Sequence, residues 1–429
     1  MLNRTAYRCV VVGLLLTMMG VLTGLFSPGQ SDTDLGVVSN QVHIPFLVVM
    51  VVLYGLLLWN LVSAPMRYLR AIAAQWTLLP LLGFCVLSAA WSGDPSLTAR
   101  RALILAATML IAVVIGTDFS VAEIGRMLAA ASLLHLGLCV VFFAVAPHYL
   151  FAPEDAAALK GLTTHKNVFG FEQGLAVLVM WFCPFNRLRG IRMLFVALAA
   201  GALVWSHSSG ALIATLAAMS LSPLLSVSRL PSKERVPVAV LVVIVAASIF
   251  AVIAANLSRI PALFSKDATL TGRTELWDVV LVAIRTHLWL GFGFDSFWRG
   301  LEGDSLSIIR SVGWLVPTAH NGYLDLLLSV GVVGAVLFAV PLLLFVYRAL
   351  LQTVQGISSE RLLPLMLLLF LLVYNLNESA LLTRSGLPFF LIIALTTAMT
   401  RQLAGSRAAA YDSSHSRDRF LSGEAVYQA

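Results

Sequence analysis

Charge is what this sequence has least of. Only 11% of its 429 residues are Asp, Glu, Lys or Arg, whereas 59% are hydrophobic and the mean hydropathy is +0.91. About a quarter of an ordinary soluble chain is charged, so a soluble globular fold is excluded. Ten-residue stretches of alternating polarity are absent, which excludes a β-barrel. Cysteine is scarce too. Cys9, Cys85, Cys139 and Cys183 lie in or beside apolar runs, so neither a disulfide nor a thiolate metal site is expected. No P-loop, His-Glu-x-x-His or Gly-x-Ser-x-Gly occurs, and Gly291-Phe292-Gly293 follows no strand pattern, so it is no nucleotide fingerprint. Asp32-Thr33-Asp34 is a D-x-D in a segment flanked by Ser, Gln, Gly and Val, and no metal is expected there. No other cofactor is expected.

What is present is a series of apolar runs long enough to cross a ~30 Å hydrocarbon core as helix. They predict an all-α polytopic protein with about twelve spans: 8–26, 44–62, 76–90, 98–116, 127–146, 168–183, 193–206, 211–227, 236–256, 321–346, 363–381 and 387–400. The first follows Arg4 and Arg8, is too long for a signal-peptide core and is read as uncleaved. With the N-terminus inside, the inner segments hold most of the 28 basic residues in mostly short loops. Both termini are therefore expected in the cytoplasm. The net charge of +7 follows from this bias and does not imply a nucleic-acid partner. Nine spans over 1–256, a long outer loop over 257–320, three spans over 321–400 and a structureless polar tail over 401–429 complete the expected layout.

The outer loop carries four of the nine Trp, and a stretch of that length is usually functional. Its middle, Glu275 to Leu288, has the periodicity of an amphipathic helix expected to lie along the membrane surface. Within the spans, His135, Glu172, Asp325, Asn375, Asn377 and Glu378 are costly in lipid and usually face a cavity or a partner. All but His135 crowd toward the outer leaflet. That placement favours a cavity opening outward over a transporter's midplane site.

Four short motifs lie on the same side. Thr271-Gly272-Arg273-Thr274-Glu275 offers a turn, a cap from Thr274 and an Arg that can hold phosphate oxygens as a planar fork. Ala319-His320-Asn321-Gly322-Tyr323-Leu324-Asp325 places an imidazole at the mouth of a span, with Asn321 and Asp325 one turn apart. Thr163-Thr164-His165-Lys166-Asn167 sits just above Glu172. Trp91-Ser92-Gly93-Asp94-Pro95 precedes Arg100 and Arg101. Taken singly, each also fits a surface loop, a helix cap or an interfacial anchor.

Taken together, these segments resemble the O-antigen ligase/Wzy polymerase superfamily, most closely its exopolysaccharide polymerases. The resemblance runs through WSGDP at 91–95, GLTTHKNVFG at 161–170, SHSSG at 206–210, GRTELW at 272–277, GFGFDSFW at 291–298, HNGYLDLLLSVGVVG at 320–334 and NLNESALL at 375–382. SHSSG departs from the family's common Ser-Arg-Ser/Thr form by having His207 where Arg is frequent. The resemblance implies a metal-independent, GT-C-like inner-membrane enzyme. Such an enzyme moves glycans from undecaprenyl diphosphate to an acceptor on the periplasmic face, under a capping outer loop. It also implies Arg273 and His320 as the functional pair: Arg273, with Arg100 or Arg101, holding the diphosphate, and His320 taking the acceptor's proton. His165, Lys166, Asn167, Glu172, Asn321, Asp325 and Glu378 are the expected substrate-binding residues. Expected partners are the lipid-linked oligosaccharide, membrane lipids and polysaccharide export or chain-length proteins. A polymerase is favoured on GLTTHKNVFG. The alternatives are a ligase joining the glycan to lipid A core, a flippase for the same lipids, and a non-catalytic assembly subunit.

Overall fold

The computed structural model describes residues 3–26, 44–183, 189–226, 272–354 and 358–421. Span 236–256, Thr271 and the Asp32/Asp34 segment lie outside the described residues. The helices, in chain order, are α1 (Arg4–Met18), α2 (Val21–Phe26), α3 (Ile44–Ser63), α4 (Pro65–Ala74), α5 (Leu78–Leu87), α6 (Pro95–Asp118) and α7 (Val121–Val145). A two-stranded antiparallel hairpin follows, β1 (Phe151–Ala152) and β2 (Asp155–Leu159). Then come α8 (Lys166–Phe182), α9 (Arg189–Trp205), α10 (Ser209–Ser226), α11 (Arg273–Thr286), α12 (Ser305–Val312), α13 (Gly322–Val354), α14 (Ser359–Tyr374) and α15 (Leu387–Leu421).

Each expected span within the described residues falls on helix except the end of 363–381, where α14 stops at Tyr374 and Asn375, Asn377 and Glu378 lie in the segment that follows. By length and composition, four are long and apolar enough to cross a membrane. A fifth qualifies if α3 and α4, bent by 103°, count as one broken span. The bend falls where Pro65 opens α4, since proline has no N–H to continue the α3 ladder. The ends of the helices are polar in two distinct groups. At one end Arg4 and Arg8 pair with Glu123, and Arg67 pairs with Asp118. At the other end, helices α6, α8, α13 and α14 meet the hairpin, the loop of 287–320 and the segment of 375–386.

Two expectations need correction. The tail beyond Arg401 is helical through Leu421, where Gln402, Leu403, Ala404 and the run Ala408–Ala410 supply good helix formers. The amphipathic helix α11 turns its apolar stripe into protein. Leu276, Val280 and Ile284 pack with Phe297, Ile308, Ile309 and Val316 in a second core that roofs one end of the bundle. That stripe has the i, i+4, i+8 spacing of one helical face, which suits a protein core as well as a lipid surface.

α13 is broken at Gly331, whose φ of 62° and ψ of −167° are not helical. A break inside a membrane needs substitute partners for the freed peptide groups. The chain at 288–292 supplies them. Phe292 N donates to Leu328 O at 2.8 Å, while Val332 N and Val333 N donate to Leu288 O and Trp289 O at 2.9 and 3.0 Å. Gly291 faces Gly331 so closely that a Cβ on either would meet backbone atoms at 2.5 to 2.6 Å. This seam fixes the loop that follows, 293–298, against the top of α13.

Candidate active site

A cavity of about 910 Å³ opens between these elements. Asn167, Phe171 and Glu172 of α8 line it. So do Trp298, Trp314 and His320 from the loop of 287–320, Arg101 of α6, Asp295, and Glu378 and Arg384 from the segment between α14 and α15.

Glu378 is the hub. Its Oε1 accepts from Arg273 Nη2 at 2.9 Å and from Asn167 Nδ2 at 2.6 Å. Its Oε2 lies 3.4 Å from His320 Nδ1. Burial pushes the Glu378 carboxyl up, but the hydrogen bond and charge of His320, with the charges of Arg273 and His165, outweigh it and hold the group at about 2. The carboxylate is therefore ionised at any working pH, and it favours the His320 tautomer that carries its proton on Nδ1 and leaves Nε2 as an acceptor.

Local chemistry explains how three distant segments converge here. Asn321 Oδ1 accepts from Tyr323 N and Leu324 N, so this residue caps α13. Gly322 N donates to Asn375 O at 2.8 Å, and a Cβ on Gly322 would meet Asn375 Oδ1 at 2.2 Å, so only glycine fits. Asp325 accepts from Trp298 Nε1 at 2.7 Å and from Ala319 N, which ties the residue before His320 to the helix after it. His320 itself has φ of 48°, a left-handed conformation uncommon outside glycine and best tolerated among the other residues by Asn, Asp and His. Such strain persists where the surroundings impose it. The Trp314 ring stacks toward the imidazole, with centroids 6.2 Å apart and planes 26° from parallel.

The expected residues thus separate by position. His320, Asn167 and Glu378 border the cavity and touch one another through Glu378. Arg273 does not border it. Its Nη1 donates to Asn377 O and Oδ1 at 2.6 and 2.5 Å, and its Nη2 holds Glu378, so its planar fork grips the 377–378 loop. Thr274 does not cap α11; Gly272, at φ of 76°, occupies that position with no side-chain cap. Arg100 is exposed and donates back to Ser96 O, away from the cavity wall, whereas Arg101 lines it. Lys166 pairs with Asp155 at 2.8 Å, and His207 Nδ1 is 3.0 Å from the same oxygen. Burial raises the Asp155 carboxyl, but Lys166 and His207 outweigh that and lower it. Lys166 and His207 together brace the hairpin. His165 accepts from Asn167 N as the N-cap of α8, and its Nε2 faces Glu154 at 3.1 Å at the cavity wall. Asn321 and Asp325 hold the His320 loop in place. Asp295 and Arg384 were not among the expected site residues; both are lone charges in apolar sequence.

Glu172 pairs with His135, Nδ1 to Oε2 at 2.7 Å, and the two side chains are 1% and 0% exposed. They meet at ion-pair distance without hydrogen-bond alignment. A group so enclosed is a poor sugar ligand and a strong structural tie between α7 and α8. Removing one partner of a buried pair typically costs ~3–5 kcal/mol, more than replacing both with apolar groups. Glu172→Ala should therefore lower the thermal midpoint of detergent-solubilised protein more than Glu172→Leu combined with His135→Leu. A double variant no better than the single one would show that the pair contributes no such tie.

Among the described residues no group of three or more His, Cys, Asp or Glu is placed to hold a metal ion. Residues 193–339 match the family model described as O-antigen ligase. With its apolar helices, it is a multi-pass membrane protein that over this stretch is similar to the O-antigen ligase family. It is also 24% identical over 273 residues to the exopolysaccharide production protein ExoQ of Rhizobium meliloti (strain 1021). That match covers 60% of this chain and 61% of the relative, so the chain spans about three fifths of the curated relative's length. The O-antigen ligase match contains Arg273, Asp295, Trp314 and His320, whereas Asn167, Glu378 and Arg384 lie beyond it.

Proposed function

We propose that the protein is a glycosyltransferase with a GT-C-like fold that extends a polysaccharide at the periplasmic face of the bacterial inner membrane. The donor is a glycan on undecaprenyl diphosphate, and the acceptor is a second lipid-linked repeat. The observation that carries this reading is the His320–Glu378–Arg273 chain at the edge of the cavity. Glu378 accepts a hydrogen bond from His320 Nδ1–H and stabilises the imidazolium that forms as Nε2 takes the proton of an acceptor hydroxyl. The acceptor oxygen forms a bond to the donor's anomeric carbon as that carbon's bond to the diphosphate breaks. The diphosphate leaves with the bonding pair on its lipid. The donor is already activated, so the step requires a base and cations, and no divalent metal.

Deletion of the gene followed by analysis of surface and lipid-linked glycans tests this. The expected result is polysaccharide arrested at single lipid-linked repeats. Full-length glycan accumulating on its lipid carrier, unattached, would assign the ligase reaction in its place.

The reading also requires the cavity end of the bundle to face the periplasm. Ser307 on α12 is exposed at that end, and Ser359 at the start of α14 is exposed at the other. Ser305, at the start of the same helix, is unsuitable, because it is fully buried and donates to Gly300 O and Glu302 O. In a Cys9→Ser background, an impermeant thiol reagent on intact, outer-membrane-permeabilised cells should label Ser307→Cys and spare Ser359→Cys. The reverse pattern would put the cavity in the cytoplasm and overturn the proposed donor.

A further inference from the structure

With Arg273 turned toward Glu378, the cations that line the cavity are found on another part of its wall. Arg101 from α6 and Arg384 from the segment before α15 both converge on Asp295. Arg384 Nη1 is 2.5 Å from Asp295 Oδ2. Arg101 Nη1 is 3.7 Å from Asp295 Oδ1 and also donates to the Asp295 backbone carbonyl. All three border the cavity. Their side chains are exposed to different degrees, 39% for Arg384, 26% for Asp295 and 10% for Arg101. Arg384 is thus the most open of the three.

The frame around them is rigid. Asp295 sits at φ of 53°, a left-handed conformation, and its N–H donates to Ser329 Oγ at 2.8 Å beside the break in α13. The next residue, Ser296, meets Ser92 at 3.0 Å, and Ser92 meets Thr98 at 2.7 Å, which ties the loop to the start of α6. Thr108 Oγ1 donates to Arg384 O at 2.9 Å and holds that backbone against α6. Two guanidinium groups on fixed backbones therefore share one carboxylate in a pocket that opens inward. Two Arg carry more charge than one carboxylate neutralises, and each retains further N–H donors in fork geometry.

We propose that Arg101 and Arg384 form a diphosphate clamp in which Asp295 occupies the anion position until a lipid diphosphate displaces it. This deepens the function proposed above and rests on it for the identity of the ligand. Asp295 then sets affinity as a competitor. It keeps the two cations from repelling each other in the empty cavity and raises the threshold for weaker anions. A monophosphate brings too few oxygens to engage both forks, so the clamp selects for diphosphate. The product, also a lipid diphosphate, is released with Asp295 returning to its place.

The test is binding of farnesyl diphosphate and farnesyl phosphate to the purified full-length protein in detergent. Wild type should prefer the diphosphate about tenfold or more, as a second bidentate contact allows. Arg384→Gln should weaken diphosphate binding by at least about the same factor and leave monophosphate binding little changed. Asp295→Asn should tighten diphosphate binding several-fold, because the competing charge is gone while an Asx side chain still tolerates the left-handed backbone. Asp295→Gly, which also fits that backbone, should behave alike. Unchanged or weaker binding by folded Asp295 variants overturns the placeholder, as does equal affinity of wild type for the two ligands. Should neither Asp295 variant fold, wild-type affinity in Arg384→Gln still overturns the clamp. The two levels of inference separate cleanly. Tighter binding in Asp295→Asn together with unchanged glycan after deletion of the gene would keep the clamp and sink the transferase reading; unchanged binding in Asp295→Asn together with glycan arrested at single lipid-linked repeats after deletion would do the reverse.

Discussion

His320→Ala should abolish chain extension in cells and lower turnover by about 10²–10⁴-fold in vitro, the usual contribution of a general base. His320 stands on a left-handed backbone, with Nδ1 toward Glu378 Oε2 and Trp314 stacked alongside. Its position is set from four directions: Asp325 through Ala319, Thr318 through its own N–H, Asn321 as the helix cap, and Glu378. Losing the ring removes the proton acceptor and leaves the surrounding loop anchored, so protein level and thermal midpoint should change little. His320→Gln discriminates further. An amide can still hydrogen-bond to Glu378 and to a sugar hydroxyl, but it cannot take a proton, so its turnover should stay within about tenfold of the alanine variant. Substrate affinity, in contrast, should be nearer wild type in His320→Gln than in His320→Ala. A fully active His320→Gln enzyme would make this residue a substrate-positioning group and put the base elsewhere.

The sequence exposes His320 and Arg273 because each interrupts an otherwise apolar or amphipathic pattern at a span or helix boundary. It also flags Glu378 as a carboxylate expected at the end of an apolar span. What it does not reveal is that Glu378 organises the other two. That role depends on residues 58 and 105 positions away being brought to opposite oxygens of one carboxyl group, and no local pattern encodes it. For the same reason Arg384 and Asp295 read as isolated charges until the fold sets them side by side. The helices themselves follow from hydropathy, except where backbone chemistry intervenes. Gly331 breaks α13 in the middle of an apolar run, and its partner Gly291 lies in a loop where a φ of 66° and the close backbone approach both demand glycine. The surface helix shows the converse limit. Its amphipathic pattern is plain, but hydropathy cannot separate a face meant for lipid from one meant for Phe297 and Ile309.

Glu378→Gln should cost nearly as much activity as losing His320. An amide in place of the carboxylate keeps the size and much of the hydrogen bonding, but it no longer stabilises an imidazolium or enforces the Nδ1–H tautomer. The equivalent change in a carboxylate–histidine catalytic pair costs about 10⁴-fold in the well-studied serine protease case. A loss of about 10³-fold or more is expected here, falling on turnover and not on donor affinity. Arg273→Lys should follow at about 10²-fold, the scale of a small misplacement of a catalytic group, because an ammonium cannot hold Asn377 O, Asn377 Oδ1 and Glu378 together. Stability supplies an independent readout. The folded protein holds the Glu378 carboxyl at about 2, below its ordinary value of 4.5. A depressed carboxylate stabilises the fold fully above its unfolded pKa and loses that contribution as pH falls toward the folded value. The difference in thermal midpoint between wild type and Glu378→Gln should therefore be flat from pH 8 to about 4.5 and shrink toward pH 2. A difference that instead vanishes between pH 8 and 6 would mean that Glu378 is not held as an ion by Arg273 and His320, and the proposed proton path would lose its anchor.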